Sequence, residues 1–183
     1  MKRPAWVLAL LLAALPGAAA AQSCSIGLFN LIFGGGGTCT ASTSANITIG
    51  TVMQLSLNSS STALTPPTSN DYDAGFVADA GPVATVRGNQ SWRLQVAAQA
   101  GTWTATNSIP GSVARANKPA ADLTWSTAVN GTFAGLGTTG VQVGSGAASG
   151  GTNVSLFYRT LYAYNLDTPG SYSLTVVFTM FSP

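Results

Sequence analysis

The residue types that could do chemistry are few. The chain has no histidine, and its five acids are all aspartate: Asp71, Asp73, Asp79, Asp122 and Asp167. A serine nucleophile needs a base, and without histidine the Ser-His-Asp arrangement cannot be built. The stretch "GSGAASGG" lacks the G-x-S-x-G spacing and reads as a flexible loop. A Ser–Lys pair has only Lys118 to use, with no S-x-x-K pattern around it. Glycosidase chemistry needs two carboxylates facing each other, and Asp71 and Asp73, two apart on one loop, do not supply that geometry. The expectation is a protein that is not an enzyme and needs no cofactor.

Binding chemistry has more to draw on. "SNDYDAG" offers Asn70, Asp71 and Asp73, with Asp79 nearby, as oxygen donors. Calcium needs six to eight oxygens, and the D-x-[DN]-x-[DN]-G spacing is incomplete, so an Asx-rich turn with no metal is the reading. Trp92, Trp103 and Trp125 could stack on sugars together with several tyrosines, although Trp92 and Trp125 fall within apolar alternations that suit a core. Trp103 follows a turn and is the one expected to be exposed.

Cys24 and Cys39 are the only cysteines. Ahead of them, Met1-Lys2-Arg3, the run "WVLALLLAALPGAAAA" and an A-x-A ending at Ala21 have the layout of an export signal at residues 1–21. Export places the two cysteines in an oxidising compartment, which predicts a Cys24–Cys39 disulfide. Closing a loop of about 15 residues is worth roughly 3 kcal/mol in the loop-entropy model. Between them lies "SIGLFNLIFGGGG", whose Ile26, Leu28, Phe29, Leu31, Ile32 and Phe33 are too apolar for an exposed loop. The segment at 22–45 is either a short buried first strand or a hydrophobic segment offered to a partner, a membrane or a sheet edge.

Loss of residues 1–21 removes two of the seven basic residues and none of the five acids, so the mature chain is close to neutral. No basic run is present to displace phosphate counterions, which excludes nucleic acid as a partner. The mature chain contains no transmembrane segment. It is rich in Thr, Ser, Ala, Gly and Val and has no Glu, a composition that leaves little to cover a helix surface.

Elements must hold whatever site exists, and the patterning predicts strands throughout 46–183. They are Ile47–Asn58, Val83–Arg87, Ser91–Ala98, Thr102–Thr106, Leu123–Ser126, Val141–Val143, Val154–Tyr164 and Tyr172–Phe181. About eight strands separated by turn-rich loops predict a single all-β domain, an antiparallel immunoglobulin-like or pilin-like sandwich. Arg87–Ser91 reads as a tight hairpin turn. The last two strands, joined through "DTPG", should form a central hairpin. The last of them, with Tyr172, Leu174, Val176, Phe178 and Met180 in alternation, should lie inside its sheet.

"NQSWRLQVAA" carries Trp92-x-Leu94 on a strand, and "PGSYSLTVVFTMFSP" carries a Gly-x-Tyr turn, a final strand and a terminal proline. The pairing resembles bacterial WxL-type surface domains, and it is similar to the spore-coat-protein-U-like secreted proteins, which share a pilin-like sandwich. WxL domains carry a second Trp-x-Leu in the last strand, where this chain has Phe178-Thr179-Met180. The resemblance implies a non-catalytic exported protein at the cell surface, in the extracellular space or in the periplasm, with a structural or adhesive role. Its partners would be other envelope proteins, a cell-wall polymer or further copies of itself. It also implies ligand contacts at Trp92 and Leu94. The alternatives are a pilin-like subunit polymerising by strand exchange and a carbohydrate-binding module that uses Trp103.

Overall fold

The structure is a computed structural model that describes residues 40, 42–108 and 110–183. The expected export signal at residues 1–21 and the expected Cys24–Cys39 disulfide lie outside the described residues. The chain divides into two compact units, residues 1–48 and 49–183. In the first, the described residues are exposed and carry no regular secondary structure. The second holds the fold.

That unit is all-β and antiparallel. One sheet has five strands in the order β1 (Met53–Leu57), β2 (Phe76–Gly88), β8 (Ser149–Leu161), β5 (Leu123–Ser126) and β6 (Ala134–Gly135). The other has three, β10 (Val176–Phe181), β3 (Trp92–Ala98) and β7 (Val141–Gly146), and a short ribbon pairs β4 (Thr104–Thr106) with β9 (Ser171–Ser173). A two-turn-short helix, α1 (Ser69–Ala74), precedes β2. The faces of the two sheets meet in a sandwich. Val96 and Ala98 of β3 pack with Leu123, Trp125, Leu156 and Tyr158 of β5 and β8.

The alternation that predicted the strands also fixes their facing. In β3, Trp92, Leu94, Val96 and Ala98 point inward and are buried, while Arg93 is exposed. In β8 the inward row is Leu156, Tyr158 and Thr160. β2 changes row midway. Val77 points inward before a register shift between Ala80 and Val83, and Ala84 and Val86 do so after it. An inserted residue in a strand has this effect, because the side-chain period is two. Gly81 sits in the shift, where a Cβ would lie 2.9 Å from the Leu156 carbonyl oxygen, and the following Pro82 needs no ladder donor.

Four expectations are corrected. Arg87–Ser91 is not a hairpin: it carries the chain from β2 in one sheet to β3 in the other. β8 and β10 do not pair, because β8 lies between β2 and β5 while β10 pairs with β3. The connection over 162–170 leaves the five-stranded sheet instead of reversing within it. The final strand is therefore an edge strand, and its first half, β9, pairs separately with β4. At the start of the domain only Met53–Leu57 of the expected Ile47–Asn58 forms a strand, and Ile47, Ile49 and Val52 are 85%, 76% and 63% exposed.

Candidate functional site

β10 closes one side of the three-stranded sheet, and β1 closes the same side of the five-stranded one. Met53 and Leu55 of β1 and Phe178 and Met180 of β10 pack on one shared cluster of Ala84, Val86, Trp92 and Leu94. Between these edges runs a cleft of about 500 Å³, walled by Leu57, Leu64, Tyr172, Leu174, Val176 and Phe178 and floored by Trp103, Leu123 and Tyr158.

The inward row of the last strand shows what the cleft does to packing. Tyr172, Leu174, Val176, Phe178 and Met180 all face the core, yet each is only half-buried. The equivalent row of β3 is essentially closed to solvent. The difference is one missing neighbour. On one side of the sandwich the five residues have no strand beyond them among the described residues.

Among the described residues the backbone is equally unpartnered there. Ala98 N–H donates to Gly137 O, on the β7 side, and Gln99 N–H donates to Thr175 O, on the β10 side. Backbone groups alternate along an antiparallel strand. With Gln95 opposite Thr179 and Ala97 opposite Val177, the odd residues of β10 bond to β3. Val176, Phe178 and Met180 therefore turn their N–H and C=O groups to the open edge. Such an edge is a template for a further strand.

At the ribbon end of the cleft lies a charged cluster. Lys118 Nζ, with 2% of its side chain exposed, donates to Asp167 Oδ1 at 2.8 Å, to Leu161 O at 2.8 Å and to Asp122 Oδ2 at 3.1 Å. Arg115 Nη1 reaches the same two carboxylates at 3.1 and 3.3 Å. The Ala163 N–H adds a bond to Asp167 Oδ2. Burial pushes the Asp167 carboxyl up, but its bonds to Lys118, Ala163 and Arg115 and the Lys118 charge outweigh that and hold it below the ordinary range. The cluster has two cations and two carboxylates and is neutral as a whole. It ties the segment before β5 to the loop after β8, which is the base on which the β4–β9 ribbon stands.

Trp92 and Leu94 lie in the core, at 2% and 0% exposure. Trp103 was expected at the surface and is also buried, at 5%: it packs in the core cluster, and its indole N–H donates to Pro119 O of the segment paired beside it. The turn before it does not expose it. It is reached only from the interior, where it lines the cleft. The aspartates near α1 do not converge on a metal position. Asp71 Oδ2 accepts from Thr68 N–H and caps the helix, and Asp79 accepts from Thr65. In place of the expected Asx-rich turn, this capping lets the segment close as a short helix ending on Gly75 at φ 79°. Among the described residues no helix is long and apolar enough to cross a membrane.

The charged cluster was missed at the sequence level. The one signal available was that the single lysine beyond residue 21 lies close in sequence to Arg115 and Asp122. Asp167, on a turn 49 residues from Lys118, carried no signal. No protein-family model matches the chain, and no curated protein sequence matches it.

Proposed function

We propose that this is a non-catalytic, exported structural protein of a bacterial surface, and that its sandwich is completed by an extended apolar segment from a second copy of the chain. The observation that carries the reading is the last strand: an apolar row left half-buried above a cleft, on an edge whose backbone groups are unpaired among the described residues. Strand addition satisfies both deficits at once, through ladder hydrogen bonds and alternate side chains set into the cleft.

The occupant has a sequence requirement, four to eight residues with apolar side chains at alternate positions. The mature chain holds such a run ahead of the sandwich in Phe29, Leu31 and Phe33, with Ile26, Leu28 and Ile32 adding apolar side chains on the opposite face. A disulfide between Cys24 and Cys39 would hold this run as a closed loop, which limits how far it can reach as a donated strand. The near-neutral, small-residue composition suits a packed assembly.

The test is the solution mass of the mature protein, by light scattering, together with its resistance to SDS without heating. The reading expects SDS-resistant multimers. It expects Leu28→Asp with Leu31→Asp to give single chains that keep the β-sheet circular dichroism. A wild-type protein that is monomeric at high concentration and melts cooperatively would overturn it. An adhesive role on a cell-wall polymer would then be favoured, and co-sedimentation with purified envelope would measure it.

A further inference from the structure

A second cavity, of about 300 Å³, opens beside the charged cluster. It shares Leu64, Trp103 and Tyr172 with the cleft but differs from it in its floor. Its walls are rings: Trp103, Tyr72, Tyr162, Pro66 and Pro67. Lys118, Asp167 and Thr160 line the rest.

The hydrogen-bonding capacity left in this cavity defines what it can take. Lys118 has spent its three protons on Asp122, Asp167 and Leu161 O. The cluster's charges cancel, so neither an anion nor a cation finds an uncompensated partner. Thr160 is different. It is 2% exposed, and its Oγ1 meets no partner at hydrogen-bonding geometry, although it lies close enough to the Tyr162 phenol to oppose that group's shift. The Tyr162 phenol is protonated at neutral pH and its hydroxyl can donate; burial first, then the nearby Tyr72, Asp79 and Asp167, push it further up, to about 12. Buried polar groups are normally paired, and an unpaired one in a cavity calls for an explanation.

We propose that this cavity binds one neutral sugar ring, its apolar face against Trp103 and Tyr162 and its hydroxyls toward Thr160 and Tyr162. Pyranose rings combine an apolar C–H face with a hydroxyl rim, which suits aromatic walls around a small polar floor. The volume is at the lower end of ligand pockets and accommodates a ring rather than a chain. The proposal does not depend on strand addition in the neighbouring cleft.

The experiment is an NMR titration of the mature protein with methyl β-glucopyranoside, methyl β-galactopyranoside and N-acetylglucosamine, with glucuronate as the charged comparison. The Trp103 indole N–H is the reporter, and those of Trp92 and Trp125 are the controls. A saturable shift at Trp103 alone is expected for at least one neutral sugar, weakened about tenfold or more in Thr160→Val, which keeps the volume and loses the hydroxyl. Thermal melting of that variant should change little, since the hydroxyl it removes makes no hydrogen bond of good geometry. The cleft variant Leu174→Arg should leave the titration intact, which separates this test from that of strand addition. The proposal is overturned if no neutral sugar shifts Trp103, if Thr160→Val binds as the wild type does, or if glucuronate binds as tightly.

Discussion

Lys118 Nζ and Asp167 Oδ1 stand 2.8 Å apart, with only 2% and 4% of their side chains exposed. Two charges so enclosed keep each other in place, and neither is tolerated alone. Loss of one partner of a buried pair costs about 3–5 kcal/mol, because the other charge is left without compensation. Lys118→Met should come in at the lower end, since Arg115 still reaches both carboxylates. Urea unfolding followed by tryptophan fluorescence measures it, and an unchanged midpoint would show that the cluster contributes nothing to stability.

The same cluster sets a pH dependence. The Asp167 carboxyl is held below its ordinary value of 3.8, so the folded state binds its proton less readily than the unfolded chain. Its contribution is fully present above that value and is lost as the pH falls through the lowered one. Stability should therefore fall steeply on acidification below about pH 4. Asp167→Asn should be less stable at neutral pH and should lose less on acidification. Melting temperatures across the acid range decide it, and parallel curves for the two proteins would place the acid sensitivity elsewhere.

Glycine in β7 answers to packing rather than to turn formation. A methyl group at Gly146 would stand 2.9 Å from Trp92 Cζ2 and 3.1 Å from its Nε1. Trp92 is 2% exposed and has no room to swing away. Gly146→Ala should destabilise by about 1–3 kcal/mol, the range for forcing extra atoms into a packed core. The paired change Gly146→Ala with Trp92→Phe should recover part of that loss, and a double-mutant cycle reads the coupling directly.

Gly146 also shows how the sequence was misread. "GSGAASGG" has the composition of a flexible loop, yet Gly144 and Gly146 lie in β7 and Ser149–Gly151 open β8. Composition carries no trace of Trp92, which lies opposite Gly146 in the neighbouring strand. The bulge at Gly81–Pro82 misled in the same way. It flips the inward row of β2, so a strand that begins at Phe76 looked as though it began at Val83. Facing within each strand was legible, because burial of one face imposes a period of two. Pairing was not. The pattern of Tyr172–Phe181 is the same whether the strand lies inside a sheet or at its edge, and only the partner on its far side decides. The charged cluster was hidden for a related reason, since a turn aspartate acquires its partner through the topology.

The edge of the last strand yields the sharpest prediction. Leu174 lies between β9 and β10, half-buried, and lines the cleft without belonging to either ladder. Leu174→Arg places a long charged side chain where an incoming strand must seat an apolar one, and the open cleft lets the guanidinium reach water in the unoccupied subunit. The isolated fold should lose about 1–2 kcal/mol, within the usual range for a point substitution, and remain cooperative. Assembly should fail outright, because the same guanidinium would be buried against the added strand with no carboxylate to meet it. Sedimentation of the wild type and the variant at matched concentration separates the two effects. A variant that assembles as the wild type does would remove the cleft from the interface, even if multimers form by another surface.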